Sequence, residues 1–196
     1  MDETWFRRRA VPPLVGVLVG ATVLVSCSST SPGGSMMGGG SAAGDRYPAA
    51  SCTARPASLP GSTVTVTLAD PGMGTMMSGT APTGARTTLT ATPATVPSGQ
   101  VGLLVDNRGW RAHELVVLPL GAGTDAGRRP VGADGKVAED GALGEASTTC
   151  GDGAGDGIDA GSSSWVTITL PAGRYELVCN LANHYADGMH QELDVT

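Results

Sequence analysis

Four side chains in the second half of the chain have the types and the spacing of a metal site. Cys179, His184 and Met189 follow the pattern C-x4-H-x4-M, and His113 is the only histidine upstream of them. Thiolate and thioether sulfur suit Cu(I), whereas imidazole suits Cu(II). Two imidazoles, one thiolate and one weak thioether are the ligand set of a type 1 copper centre. The sequence therefore predicts one copper ion whose oxidation state changes with little rearrangement of its ligands.

Strand periodicity predicts how these residues are positioned. Residues two apart on a strand share a face. Three of the four candidates are in phase with an apolar residue of a predicted strand, namely Cys179 with Leu177, Met189 with Leu193 and His113 with Leu115. We therefore expect these three side chains to point inward, and the loop between the last two strands to supply His184.

The composition favours an all-β fold. The chain of 196 residues contains 30 Gly and 13 Pro, which interrupt helices and favour turns. Residues 63–68 alternate strictly between threonine and apolar side chains, which indicates a half-buried strand. Further short apolar runs predict about seven strands and hence a β-sandwich, at residues 63–68, 87–91, 101–105, 113–120, 165–170, 175–179 and 191–195.

From these residues the chain resembles the cupredoxins, the superfamily of plastocyanin and azurin, over residues 61–196. Its ligand loop is spaced most like the rusticyanin and sulfocyanin type. The resemblance implies a Greek-key β-sandwich that is an electron carrier and not an enzyme. His113, Cys179, His184 and Met189 match the family's four copper ligands. Electrons would pass through the solvent-facing edge of His184. A docking surface of low charge would surround this edge and would be formed by Leu181, Ala182, Tyr185, Ala186 and Gly188.

Three features depart from this pattern or lie outside it. Many cupredoxins have asparagine or serine after the first ligand histidine, where this chain has Glu114. Residues 121–163 form a long insertion rich in Gly and Asp, which we expect to be a solvated surface loop that modifies partner docking. His190 falls on the strand face opposite Met189, so we expect it to be exposed.

The N-terminus has the composition of an export signal. Three arginines at positions 7–9 precede an apolar run at residues 11–25, which is short for a membrane span. The sequence that ends in Cys27 resembles a bacterial lipoprotein signal, which implies cleavage after residue 26 and lipidation of Cys27. An uncleaved membrane helix is the alternative. Both place the rest of the chain on the extracytoplasmic face of the cell membrane.

Residues 27–60 are predicted to be a lipidated flexible tether, because they are rich in Gly and Ser. With Cys27 assigned to the lipid and Cys179 to copper, Cys52 and Cys150 remain, and an oxidising compartment favours a disulfide between them. The net charge of −6 argues against a nucleic-acid partner. We expect a monomer that exchanges electrons with other redox proteins.

Two other copper functions compete with electron transfer. The first is copper storage or delivery through methionine-rich segments, which contain Met36, Met37, Met73, Met76 and Met77. The second is a copper oxidoreductase such as a nitrite reductase. The chain has only 3 His in total, so it lacks the additional imidazoles that a catalytic copper requires.

Overall fold

The computed structural model describes residues 52–70 and 87–196. The predicted signal peptide, the predicted lipid site Cys27, residues 27–51 of the predicted tether and all five methionines of the methionine-rich segments lie outside these ranges. In the described ranges no helix is long and apolar enough to cross a membrane. These ranges contain nine strands: β1 Ser62–Ala69, β2 Thr88–Thr92, β3 Thr95–Val96, β4 Gly99–Asn107, β5 Leu115–Pro119, β6 Gly144–Ala146, β7 Ser163–Leu170, β8 Gly173–Val178 and β9 His190–Val195.

The strands form two sheets, which confirms the predicted all-β sandwich. One sheet has the order β2-β1-β4-β7 and the other the order β3-β9-β8-β5-β6. All seven predicted strands are present, with ends shifted by a few residues. The sequence did not predict β3 and β6, because strands of two and three residues are too short to show alternation.

The core lies between the sheets and is built from the alternating inward side chains of their strands. In β1 the three apolar residues of the alternating run are fully buried, whereas the threonines between them are not. β8 and β9 contribute Tyr175, Leu177 and Leu193 to the same cluster. Cys179 and Met189 also belong to it, so the predicted inward phase of both sulfur-bearing residues is confirmed.

The second sheet is also covered on its outer face. Val116, Leu118 and Val178 are buried there with Val137 of the insertion and Tyr185 of the loop between β8 and β9. The expectation that residues 121–163 form only a solvated loop is therefore wrong. Their few apolar residues are isolated among Gly and Asp, so no periodic pattern shows that some of them are buried.

The insertion contacts the sandwich at further points. Its strand β6 pairs with β5 at the edge of the second sheet. The buried Ile158 exchanges two backbone hydrogen bonds with His113, at 2.7 and 3.2 Å. Part of the insertion thus holds the backbone of a predicted copper ligand.

Residues 52–60 contact the first sheet, although the sequence assigns them to the tether. Cys52 forms the predicted disulfide with Cys150, with an S–S distance of 2.07 Å. Arg55 forms an ion pair with Asp106 at 3.1 Å. Leu59 lies so close to Gly102 that a Cβ atom there would collide with it. These contacts attach this part of the predicted tether to the domain.

Removing the disulfide is expected to destabilise the domain without unfolding the metal site. The bridge joins residues separated by 98 positions, so it restricts a large part of the unfolded chain. The Cys52→Ser/Cys150→Ser double variant should lose about 2–5 kcal/mol of unfolding free energy in denaturant titrations. A loss indistinguishable from zero would show that the bridge does not constrain the unfolded chain.

Candidate metal centre

The strand register brings the predicted ligands to one edge of the second sheet. β5 and β8 are antiparallel, with Val116 opposite Val178. The residues before β5 and those after β8 therefore lie at the same end of the sheet. His113 lies two positions before β5, and Cys179 directly follows β8.

Three donor atoms converge at this edge. The Nδ1 atoms of His113 and His184 are 3.2 Å apart. The Sγ atom of Cys179 is 3.3 Å from Nδ1 of His184 and 3.8 Å from Nδ1 of His113. His113 and Cys179 are fully buried, and His184 is 7% exposed, so it is the one of the three that reaches solvent.

The main chain holds Met189, the fourth predicted residue, next to these donors. The N–H of Cys179 donates to the carbonyl of Met189 at 3.0 Å, which extends the pairing of β8 with β9 by one step. The N–H of Met189 donates to the carbonyl of His184 at 3.1 Å. Its side chain is fully buried in the same cluster as Cys179.

Burial makes all three donors neutral in the metal-free protein. It raises the pKa of the Cys179 thiol to about 12, although the backbone N–H groups of Glu114 and Leu181 oppose this shift. Burial, with a smaller contribution from His113, lowers the pKa of His184 to about 4. Burial also lowers the pKa of His113. The imidazoles thus keep free lone pairs at neutral pH, whereas the thiol must lose its proton to bind a metal.

The chemistry of the donors fits one type 1 copper ion. Within residues 52–70 and 87–196, one group of three or more His, Cys, Asp or Glu side chains has all its donor atoms within 4.8 Å of one another, and it consists of His113, Cys179 and His184. No carboxylate belongs to the group, which disfavours calcium and magnesium. A thioether is a poor zinc ligand but a common weak axial ligand of copper, so Met189 favours copper over zinc.

Glu114, the residue after His113, contacts Cys179 and the loop that follows it. Its backbone N–H donates to Sγ of Cys179 at 3.4 Å. Burial, with a smaller contribution from the charge of the nearby Glu145, raises the pKa of the Glu114 carboxyl to about 7. A hydrogen bond from the backbone N–H of Asn180 opposes this shift. The Glu114 side chain therefore faces the ligand loop, defined here as residues 179–189.

The insertion holds the ligand loop through hydrogen bonds. Oδ1 of Asn180 accepts the N–H of Val137 at 2.8 Å, and its Nδ2 donates to Oε1 of Glu139 at 2.6 Å. The N–H of Asn183, which has a φ of 70°, donates to the carbonyl of Gly135 at 2.8 Å. Asparagine tolerates this left-handed conformation better than most residues do. The loop that carries His184 is thus fixed on one side.

Two expectations about the surface near the ligands are wrong. Tyr185 is buried, so it does not belong to a docking surface. Its hydroxyl donates to the buried carboxylate of Glu176 at 2.9 Å and accepts the N–H of Arg129 at 2.9 Å. His190 is half-buried rather than exposed, with its ring centroid 5.1 Å from that of Tyr185. The insertion contacts both rings, with Gly127 against His190 and Arg129 against Tyr185, and such a contact leaves no pattern in the sequence.

Sequence reasoning missed Asp70, whose side chain is completely buried beside a predicted ligand. Its Oδ2 atom lies 2.6 Å from Nε2 of His113. Asp70 directly follows β1, which runs parallel to β4, with Leu68 opposite Asn107. An aspartate after a strand is typical of a turn, so only the register of β1 against β4 reveals this contact.

Comparisons with known proteins find similarities to several solved structures. No protein-family model and no curated protein matches the chain. The rusticyanin of Thiobacillus ferrooxidans is similar with a TM-score of 0.41 and 20% identity, over 69% of this chain and 79% of that one. Auracyanin A, a "blue" copper protein from Chloroflexus aurantiacus, is similar with a TM-score of 0.41 and 18% identity, over 68% of this chain and 99% of its own.

The auracyanin of Roseiflexus castenholzii is also similar, with a TM-score of 0.39 and 20% identity, over 69% of this chain and 99% of that one. What the site of this chain can bind follows from its own donor atoms.

Metal binding should release one proton from Cys179. The pKa of this thiol is about 12, that of His184 is about 4, and burial lowers the pKa of His113, so between pH 7 and 8 the thiol carries the proton that the metal must displace. The logarithm of the apparent affinity for Co(II), followed by its absorption, should therefore rise by about one per pH unit.

Two variants separate this proton from other titrating groups. Glu114→Gln removes the nearby carboxyl whose pKa is about 7 and should leave the slope in place. Cys179→Ser should remove the slope, because a serine hydroxyl stays protonated. A flat pH profile in the wild-type protein would show that the thiol is not a ligand.

Proposed function

We propose that this chain is a type 1 copper protein that carries single electrons between redox proteins outside the cytoplasmic membrane. His113, Cys179, His184 and Met189 are its copper ligands. The observation that carries the proposal is the buried group of two imidazole nitrogens and one sulfur, which lie within 4.8 Å of one another before any metal is bound.

The chain holds its donors in a geometry fixed by the fold. Bound copper would supply the Cu(II)/Cu(I) couple, whose two members prefer different ligands and geometries. Cys179 and Met189 are joined through the β8–β9 pairing, and His113 is held by two backbone hydrogen bonds to Ile158. Because these contacts leave little freedom for the ligands to move, a change of oxidation state requires little rearrangement.

His184 is the proposed exit for the electron. It alone among the three donors has an exposed part, of 7%, and the rest of the site is closed to solvent. Ala182 and Ala186 are exposed on the same loop, and their small uncharged side chains allow close approach by a partner protein. The docking surface proposed here therefore differs from the one predicted from sequence in that it excludes Tyr185, which is buried.

The donor set supports a carrier rather than an enzyme. Four ligands fill the coordination of a type 1 copper, which leaves no open position for a substrate. The third histidine of the chain, His190, lies against Tyr185 with the two ring planes tilted by 46°, and it does not belong to the donor group.

The proposed location rests on the export signal and on the disulfide. The sequence before Cys27 resembles a lipoprotein signal, and a lipid on Cys27 would anchor the protein at the extracytoplasmic face of the membrane. The bridge between Cys52 and Cys150 supports this location, because disulfides persist in oxidising compartments.

Loading the purified protein with Cu(II) tests the proposed function. We expect an intense visible band from thiolate-to-copper charge transfer, which bleaches with one electron equivalent of reductant and returns on oxidation. Cys179→Ser should abolish the band, whereas Cys52→Ser/Cys150→Ser, which removes the two disulfide cysteines, should retain it. A colourless protein that binds several Cu(I) ions would contradict the proposal and favour copper storage or delivery.

Met189→Leu should retain copper and raise the reduction potential. Cu(II) prefers more ligands than Cu(I), and leucine donates no electron pair to the metal, so the substitution destabilises Cu(II) more and shifts the couple toward Cu(I), by about tenfold or about 59 mV for one electron. Protein-film voltammetry measures this shift. The control is Met36→Leu, which removes a thioether of the predicted tether and should leave the potential unchanged. Equal potentials in Met189→Leu and wild type would exclude Met189 as a ligand.

A further inference from the structure

Asp70 places a buried carboxylate directly behind one of the proposed ligands. Neither its side chain nor that of His113 has any exposed surface. Oδ2 of Asp70 lies 2.6 Å from Nε2 of His113, on the opposite side of the ring from the Nδ1 atom that faces Cys179. A contact this short within the protein interior is little screened by solvent or salt.

The turn after β4 fixes the orientation of this carboxylate. The N–H of Trp110 donates to Oδ1 of Asp70 at 3.0 Å, and the N–H of Arg111 donates to Oδ2 at 3.3 Å. The guanidinium of Arg111 lies 3.7 Å from Oδ2. A Cβ atom at Gly109 would lie 2.6 Å from Oδ2 and 2.9 Å from Nε2 of His113, so glycine leaves the room that this contact needs.

We infer that Asp70 is a positioning residue that sets the tautomer of His113 and biases the bound copper toward Cu(II). The inference rests on the proposed function. An ionised carboxylate only accepts hydrogen bonds, so Nε2 of His113 must carry the proton and Nδ1 must keep its lone pair for the metal. The negative charge stabilises the more highly charged Cu(II) more than it stabilises Cu(I).

The contact also joins the two sheets at the metal end. Asp70 follows β1 of the first sheet, whereas His113 precedes β5 of the second. The position of the His113 ring is therefore set by both layers of the sandwich. This arrangement predicts that the effect of Asp70 on the metal differs from that of a carboxylate placed elsewhere in the same sheet.

Asp70→Asn separates the charge of this side chain from its shape. The amide oxygen can accept Nε2–H of His113, so the tautomer and the copper site are retained. The amide nitrogen cannot accept the N–H of Trp110, so this variant loses that one hydrogen bond together with the charge. Asp106→Asn is the matched control. It removes a carboxylate of the same sheet whose partners are Arg55, Arg108 and Ser163 rather than a ligand.

The experiment measures the potential of the copper-loaded variants by voltammetry. In Asp70→Asn the Cu(I) to Cu(II) ratio at a fixed potential should rise by about tenfold, which is about 59 mV for one electron. Asp106→Asn should remain at the wild-type potential. Asp70→Ala, which also removes the hydrogen bond, should weaken binding of Co(II) by about 10–100-fold.

A second readout needs no copper. Long-range 1H–15N spectra of the metal-free protein should show His113 with its proton on Nε2 in the wild type and in Asp70→Asn, and a mixture of tautomers in Asp70→Ala. Unchanged tautomer in Asp70→Ala, or a wild-type potential in a blue Asp70→Asn protein, would overturn the role of Asp70 alone. A wild-type protein that forms no blue centre would overturn the proposed function and this inference together.

Discussion

The close approach of three buried polar atoms is the constraint on which the rest of this structure depends. Two imidazole nitrogens and a sulfur within 4.8 Å of one another are almost closed to water. Charge on any of them is costly in that environment, so burial raises the pKa of Cys179 and lowers those of His113 and His184. The three donors are therefore neutral in the metal-free protein, and a metal cation that displaces the thiol proton is attracted by the resulting thiolate.

The scaffold supports this arrangement from several directions. The β8–β9 pairing continues through Cys179 and Met189, which closes the ligand loop. Hydrogen bonds from the insertion hold Asn180 and Asn183, so the loop is supported on its outer side as well. Asp70 supports His113 from the opposite sheet. Ligands that are held so firmly lose little further freedom when a metal binds, which favours both binding and rapid electron exchange.

The features that the sequence predicts are those that depend on local periodicity. Strand alternation predicted the seven longer strands and the inward phase of Cys179 and Met189. The disulfide followed from the assignment of the other two cysteines. The contacts of Asp70, Tyr185 and Val137 depend on which strands pair and on how an insertion folds back. Strand pairing and the path of the insertion cannot be read from local sequence, because an isolated aspartate or valine among glycines looks the same on a surface loop as in a buried contact.

X-ray absorption at the copper edge tests the central claim most directly, because it reports the atoms around the metal in both oxidation states. We predict one short sulfur distance from Cys179 and two nitrogen distances from His113 and His184, all nearly unchanged when Cu(II) is reduced. Cys179→Ser should lose the short sulfur distance. A first shell of oxygen atoms, or of several thioether sulfurs without nitrogen, would contradict the assignment of a type 1 centre to this chain.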